Sequence, residues 1–176
     1  MRFADRPTTE TDVYVAAPPQ AVWPLVAEIM TPTKFGTELQ EATWLEPTDA
    51  PCLGARFKGR NFHPSRGEWE TTSTIVDLIP EQRFAWAVGD PDRPSALWRL
   101  ELTPEGDGTR LRYWAQMGPG PSGVTAIIEK MPDKEEKIIA RRLEEWTANM
   151  TATINGIKDS VEAWGLHLPP ETEAGA

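Results

Sequence analysis

A single cysteine, Cys52, and two histidines, His63 and His167, stand among 176 residues. One cysteine excludes an internal disulfide and any multi-cysteine metal site. The histidines lie far apart and form no pair at metal-ligating spacing, so neither a metal nor a cofactor is expected. No apolar run approaches the roughly 18 residues needed to span a bilayer, and the opening MRFADRPTTETD has no apolar signal core. The expectation is an unprocessed protein in a reducing, cytoplasmic setting, without membrane insertion. Basic residues are scattered and few, 18 against 27 acidic, for a net charge of -9. Such a chain repels nucleic acid and anionic membranes, so nucleic acid is not an expected partner.

What is abundant is tryptophan, eight residues of it. Each buries a large rigid surface and keeps an N–H that needs a partner, which suits the wall of a pocket as well as a packed core. A chain of this length buries roughly 70% of its unfolded surface in one core. One domain spanning 1–176 is therefore expected, with its core at about 12–164 and flexible termini.

Along the chain, TDVYVAA alternates Val13 and Val15 against Tyr14 and reads as a strand. Gln20 to Met30 carries Val22, Leu25, Val26 and Ile29 at helical spacing, with Pro24 expected near its first turn. TPTKFGTELQ reads as a short helix or loop, and a second strand is expected at Glu41 to Glu46. ARFKGRNFH reads as a strand in which Gly59 marks a bulge or bend. GEWETTSTIVDLIPEQ and QRFAWAVGD continue the sheet. The stretch SALWRLELTPEGDGTRLRYWAQM is a hairpin with Trp98, Leu100 and Leu102 on one face of its first strand. The returning strand carries Leu111, Tyr113, Ala115 and Met117 on one face and Arg110, Arg112, Trp114 and Gln116 on the other. GPGPSGVTAIIEKMPDK is a loop with a helical stretch at Val124 to Lys130. From Lys134 to about Trp164, Ile139, Leu143, Trp146, Met150, Ile157 and Val161 form one apolar stripe some 45 Å long, roughly eight turns.

The order is strand, one or two short helices, six further strands, long helix. It fits an α+β domain in which a curved antiparallel sheet of about seven strands wraps around the final helix.

That order is joined by VYVAAPPQAVWPLVAE, GARFKGRN followed by Trp69, IVDLIPEQRFAW, LWRLELTPEGDGTRLRYW and NMTATINGIKDSVE. Together they resemble the START/Bet v 1-like (SRPBCC) superfamily, in its polyketide cyclase/dehydrase-like branch, over roughly Asp12 to Trp164. The resemblance implies a helix-grip fold with a deep cavity between the concave sheet and the last helix. Relatives use that cavity for lipids, sterols, polyketides, plant hormones or aromatic intermediates, and they include both carriers and enzymes. The ligand-binding set it implies is Trp44, Phe57, Asn61, Trp86, Trp98, Tyr113, Met117, Trp146 and Met150. The same side chains also suit a filled core, and only the set as a whole favours a cavity.

Chemistry is harder to place. Cys52 has no activating neighbour in the sequence. No nucleophile elbow or phosphate loop of the P-loop kind is present. GPGPSG, Gly118 to Gly123, matches G-x-G-x-x-G, but a dinucleotide site needs a parallel βαβ unit, so it reads as a loop at a cavity mouth. Arg60, Asn61 and His63 are candidates for donors to a ligand carbonyl or phenolate; a solvated basic outer face is the alternative. Glu70 shares an alternation with Val76 and Leu78, and if those point inward it is a buried carboxylate with a raised pKa. A bulge would reverse that register.

The expected function is binding of a small apolar ligand, aromatic or polyketide-like, with or without cyclase/aromatase-like chemistry. The alternatives are a protein-interaction module of the same fold, with a filled cavity and an exposed apolar patch, and a lipid or quinone carrier. Homodimerisation is left open.

Overall fold

The computed structural model describes residues 1–165; the tail carrying His167 lies outside the described residues. After a 3-10 turn at Phe3–Asp5 the chain forms β1 (Thr8–Val15), α1 (Pro19–Val26), α2 (Thr31–Phe35) and β2 (Leu39–Trp44). Then follow β3 (Arg56–His63), β4 (Gly67–Ile79), β5 (Arg83–Val88), β6 (Ala96–Glu105) and β7 (Gly108–Met117). The chain closes with α3 (Gly123–Lys130) and α4 (Glu135–Gly165). The seven strands make one sheet in the order β1-β7-β6-β5-β4-β3-β2, every pair antiparallel. This is the α+β arrangement of antiparallel sheet and long final helix that the order of elements predicts, and the helix-grip fold that the resemblance implies. No helix among the described residues is long and apolar enough to cross a membrane.

The two long elements follow directly from periodicity. In the β6–β7 hairpin, Trp98 faces Ala115, Leu100 faces Tyr113 and Leu102 faces Leu111, so one side is apolar from end to end. Arg112 on the other side pairs with Glu10 and Glu101, and the Arg99 guanidinium lies 4.6 Å from the Trp114 ring. On α4, Ile139, Met150, Ile154 and Ile157 are all buried, at 1% exposure or less. At 1.5 Å per residue the helix runs about 46 Å, and its stripe closes over the concave face of the sheet.

Three local expectations change. The helix expected over Gln20–Met30 is shorter: Pro24 falls past the first turn of α1, where it removes a backbone hydrogen bond, and α1 ends at Val26, while the short helix expected within TPTKFGTELQ forms as α2. α2 then docks on α4 at Gly156, where an added Cβ would come 2.2 Å from the Phe35 ring. The second strand runs over Leu39–Trp44, earlier than expected.

Gly59 marks no bulge in its own strand, since β3 pairs with β4 without interruption from Arg56 to His63. The irregularity sits on β2, between Leu39 and Glu41. Gly59 instead makes room, because a Cβ there would lie 3.0 Å from Leu39 Cδ1 and from Thr71 Oγ1.

Candidate functional site

A cavity of about 690 Å³ lies between the sheet and α4. Its floor is built by the inward residues of β5, β6 and β7, and its roof by Trp146, Met150 and Thr153 of α4. Leu25 and Ile29 close one flank. Val124 and Ile127 of α3 close another, with the Pro121–Gly123 loop beside them. Ser122 fixes that loop by capping α3, its Oγ accepting from the backbone N–H groups of Val124 and Thr125. The GPGPSG segment is therefore a cavity-side loop leading into a capped helix.

The aromatic part of the wall is continuous. Trp86 and Trp98 are cross-strand partners on β5 and β6, with ring centroids 6.3 Å apart and planes 12° from parallel. Tyr113 sits 6.1 Å from Trp86 and 5.8 Å from Trp98. Trp146 reaches down from α4 to 4.7 Å from Trp98. Phe57 and Phe84 extend the surface from Trp86, at 6.3 and 5.7 Å. Close ring pairs of this kind each contribute about 0.5–1.5 kcal/mol beyond simple burial, so the wall is rigid as well as apolar.

A charged cluster borders this surface. Arg142, only 8% exposed at its side chain, donates to both carboxylate oxygens of Glu38 at 2.5 and 2.6 Å, and to Glu145 at 3.1 Å. Arg66 donates to the same Glu145 carboxylate at 3.0 Å. Burial alone would raise the Glu145 pKa, but the hydrogen bond from Arg142 and the charges of Arg66 and Arg142 outweigh it and hold the carboxyl below its ordinary range. Burial, with the neighbouring Arg142 charge, lowers the Arg66 pKa. The Arg142 guanidinium also lies 5.4 Å from the Trp146 ring, which ties the cluster to the aromatic wall.

Of the residues expected from the sequence to contact a ligand, Phe57, Asn61, Trp86, Trp98, Tyr113, Met117, Trp146 and Met150 all come to the cavity wall. Trp44 does not; it packs edge-on behind Phe57 at 5.8 Å and 79°. Asn61 is buried, its side-chain amide 3.3 Å from Thr71 Oγ1.

The polar candidates fall elsewhere. Arg60 is an outward residue paired with Glu41 and Glu68 at 3.3 and 3.5 Å, on the basic outer face that was the alternative reading. His63 accepts from the Ser65 N–H at Nδ1 (3.2 Å), which leaves the proton of the neutral ring on Nε2, 3.4 Å from Glu145 Oε1. It belongs to the charged cluster and does not line the cavity.

Glu70 is not a buried carboxylate. It stands at the cavity edge with its side chain 58% exposed and paired with Lys58 at 2.6 Å. The cause is a bulge at Val76, where the pairing of β4 with β5 shifts between Ile75 and Asp77. Leu78 therefore points inward opposite Phe84, while upstream Ser73 and Ile75 take the inner face and Glu70 the outer.

Sequence reasoning missed Trp69, Ser73, Glu38, Arg66 and Arg142 at the wall. Two signals were available. Trp69 alternates in phase with Ile75, and Arg142 sits inside the apolar stripe of α4, where an unpaired charge is not tolerated.

Residues 6–161 match the family described as polyketide cyclase/dehydrase and lipid transport. Among solved structures, the chain is similar to a polyketide-cyclase-like protein, Cgl2372, from Corynebacterium glutamicum. The identity is 28% over 94% of this chain and 97% of that one, with a TM-score of 0.62. It also resembles StfQ, a di-domain aromatase/cyclase of the steffimycin biosynthetic pathway. There the identity is 16% and the TM-score 0.68, covering 90% of this chain and 52% of StfQ, so the chain spans about half of that protein. Ara h 8.0201 shares the fold at 11% identity and a TM-score of 0.53, over 92% of this chain and 99% of that one. Among curated proteins there is no match.

Proposed function

Because this chain belongs to the polyketide cyclase/dehydrase and lipid transport family, we propose that it binds a small apolar, ring-bearing molecule of polyketide type between the sheet and α4. The observation that carries this reading is the continuous aromatic surface of Trp86, Trp98, Tyr113 and Trp146 around a cavity of about 690 Å³. Ligand pockets run to about 300–1,000 Å³, lined mainly by apolar and aromatic side chains with a few polar groups. Aromatic side chains make up most of this wall, and ring–ring contacts reward a ring-bearing ligand over a flexible acyl chain. The family description and the likeness to aromatase/cyclases support a polyketide ligand.

A cyclase-like step on such a ligand would depend chiefly on holding the chain folded so that its reacting carbons meet. The carboxylates of Glu38 and Glu145 are committed to arginines, which favours positioning over acid–base catalysis. The protein-interaction reading calls for a filled cavity, and the volume found here runs against it.

Titration against aromatic polyketides, quinones, sterols and fatty acids, followed by tryptophan fluorescence, tests the proposal. Saturable quenching by the ring-bearing classes is the expected result. A response confined to fatty acids would favour a lipid carrier, and no response to any class would overturn the ligand-binding reading.

A further inference from the structure

Within the aromatic wall a phenol stands without a partner. Tyr113, directly opposite Leu100 in the β6–β7 pairing, is 4% exposed and lies against the indoles of Trp86 and Trp98. Its hydroxyl makes no hydrogen bond to any described residue, and burial alone pushes its pKa up. Buried phenols normally find a partner, because a desolvated hydroxyl without one is costly.

Two other unpartnered polar atoms of the wall, Thr31 Oγ1 and Trp146 Nε1, are sealed by packing. The Tyr113 hydroxyl is not among the sealed atoms, so it keeps a surface toward the cavity that its side chain lines.

The surroundings specify what it lacks. Indole nitrogens donate and do not accept, so Trp86 and Trp98 offer this hydroxyl nothing to donate to. The nearest cationic cluster is already neutralised, with Arg142 held by Glu38 and Glu145. An anionic group placed among the rings would therefore be desolvated without a counter-charge. An uncharged oxygen acceptor meets both conditions.

We infer that Tyr113 is the residue that reads the ligand: its hydroxyl donates a hydrogen bond to a carbonyl oxygen on a flat ring system seated against Trp86 and Trp98. The cavity then selects aromatic ketones over hydrocarbons of the same shape. This rests on the reading of the cavity as a ligand site. The phenol stays protonated, and so a donor, throughout the neutral pH range because burial raises its pKa.

The test uses a pair of probes that differ by one carbonyl group, 9-fluorenone and fluorene. Their affinities are measured by equilibrium dialysis on the wild-type protein and on Tyr113→Phe. Wild type is expected to prefer fluorenone roughly tenfold, the factor a well-placed hydrogen bond supplies, and in Tyr113→Phe the ratio falls toward one. The variant's melting temperature is expected not to fall, since no protein hydrogen bond is lost; a purely structural tyrosine would lower it. The infrared carbonyl band of bound fluorenone is expected at lower frequency in wild type than in the variant.

A preference that persists in Tyr113→Phe, or no preference in wild type, overturns the inference and leaves the ligand site standing. Failure of both probes to bind wild type overturns the ligand site and the inference with it. Should the variant not fold, the wild-type band decides. A shift to lower frequency relative to fluorenone in a hydrocarbon solvent supports the hydrogen bond, and an unshifted band refutes it.

Discussion

The aromatic wall and the charged cluster meet at Trp146, yet they are built by opposite means. The wall comes mostly from adjacent strands, where Trp86, Trp98 and Tyr113 occupy neighbouring positions on one face of the sheet. The cluster gathers Glu38 from the segment after α2, His63 and Arg66 from the end of β3 and the turn that follows, and Arg142 and Glu145 from α4. The wall leaves surface open to the cavity, whereas the cluster satisfies its own charges. The difference teaches a division of labour: apolar surface left open to the cavity, and a neutralised ionic clamp that fixes α4 against the strand ends.

The largest effect that would test this division is on stability. Replacing Arg142 with Ala leaves the Glu38 and Glu145 carboxylates, 17% and 19% exposed at their side chains, without their principal partner. Removing one member of a buried ionic group costs about 3–5 kcal/mol. Equilibrium urea unfolding should show a loss of that order, and a loss near zero would mean that the cluster does not clamp α4.

A smaller effect is expected from Glu145→Gln, and it depends on pH. The folded-state pKa of Glu145 lies below the ordinary carboxylate value of 4.5. Its ionised form therefore stabilises the protein above pH 4.5, and that contribution is lost as pH falls through the depressed value. The variant should be less stable than wild type by about 1 kcal/mol at pH 7, with the gap narrowing below pH 4.5. Urea midpoints across pH 3 to 7 check this, and a gap independent of pH would contradict it.

How much of this was legible in the sequence follows the same line. The hairpin's alternation placed Trp98, Tyr113 and Met117 on one face because a strand's period of two is local. The stripe on α4 placed Trp146 and Met150 for the equivalent helical reason. The side that Glu70 faces stayed open between two registers in the sequence, because a single bulge at Val76 inverts the facing of everything on one side of it, and no residue type there announces it. Trp44 lies on the expected strand, but Phe57 stands between it and the cavity, a packing order that alternation does not encode. The cluster was illegible because its members are joined by tertiary folding, with Glu38 and Arg142 104 positions apart in the chain. Only the arginine inside an apolar stripe hinted at it.

The most direct test of the central claim, that the inner aromatic wall receives a ligand, uses the eight indole N–H signals of the nitrogen-labelled protein during titration with 9-fluorenone. The account predicts that Trp86 and Trp98, which line the cavity, shift with saturation. Trp114, on the outer face against Arg99, and Trp164, 56% exposed near the end of α4, should stay in place. Shifts confined to Trp114 or Trp164, or none at saturating probe, would contradict it.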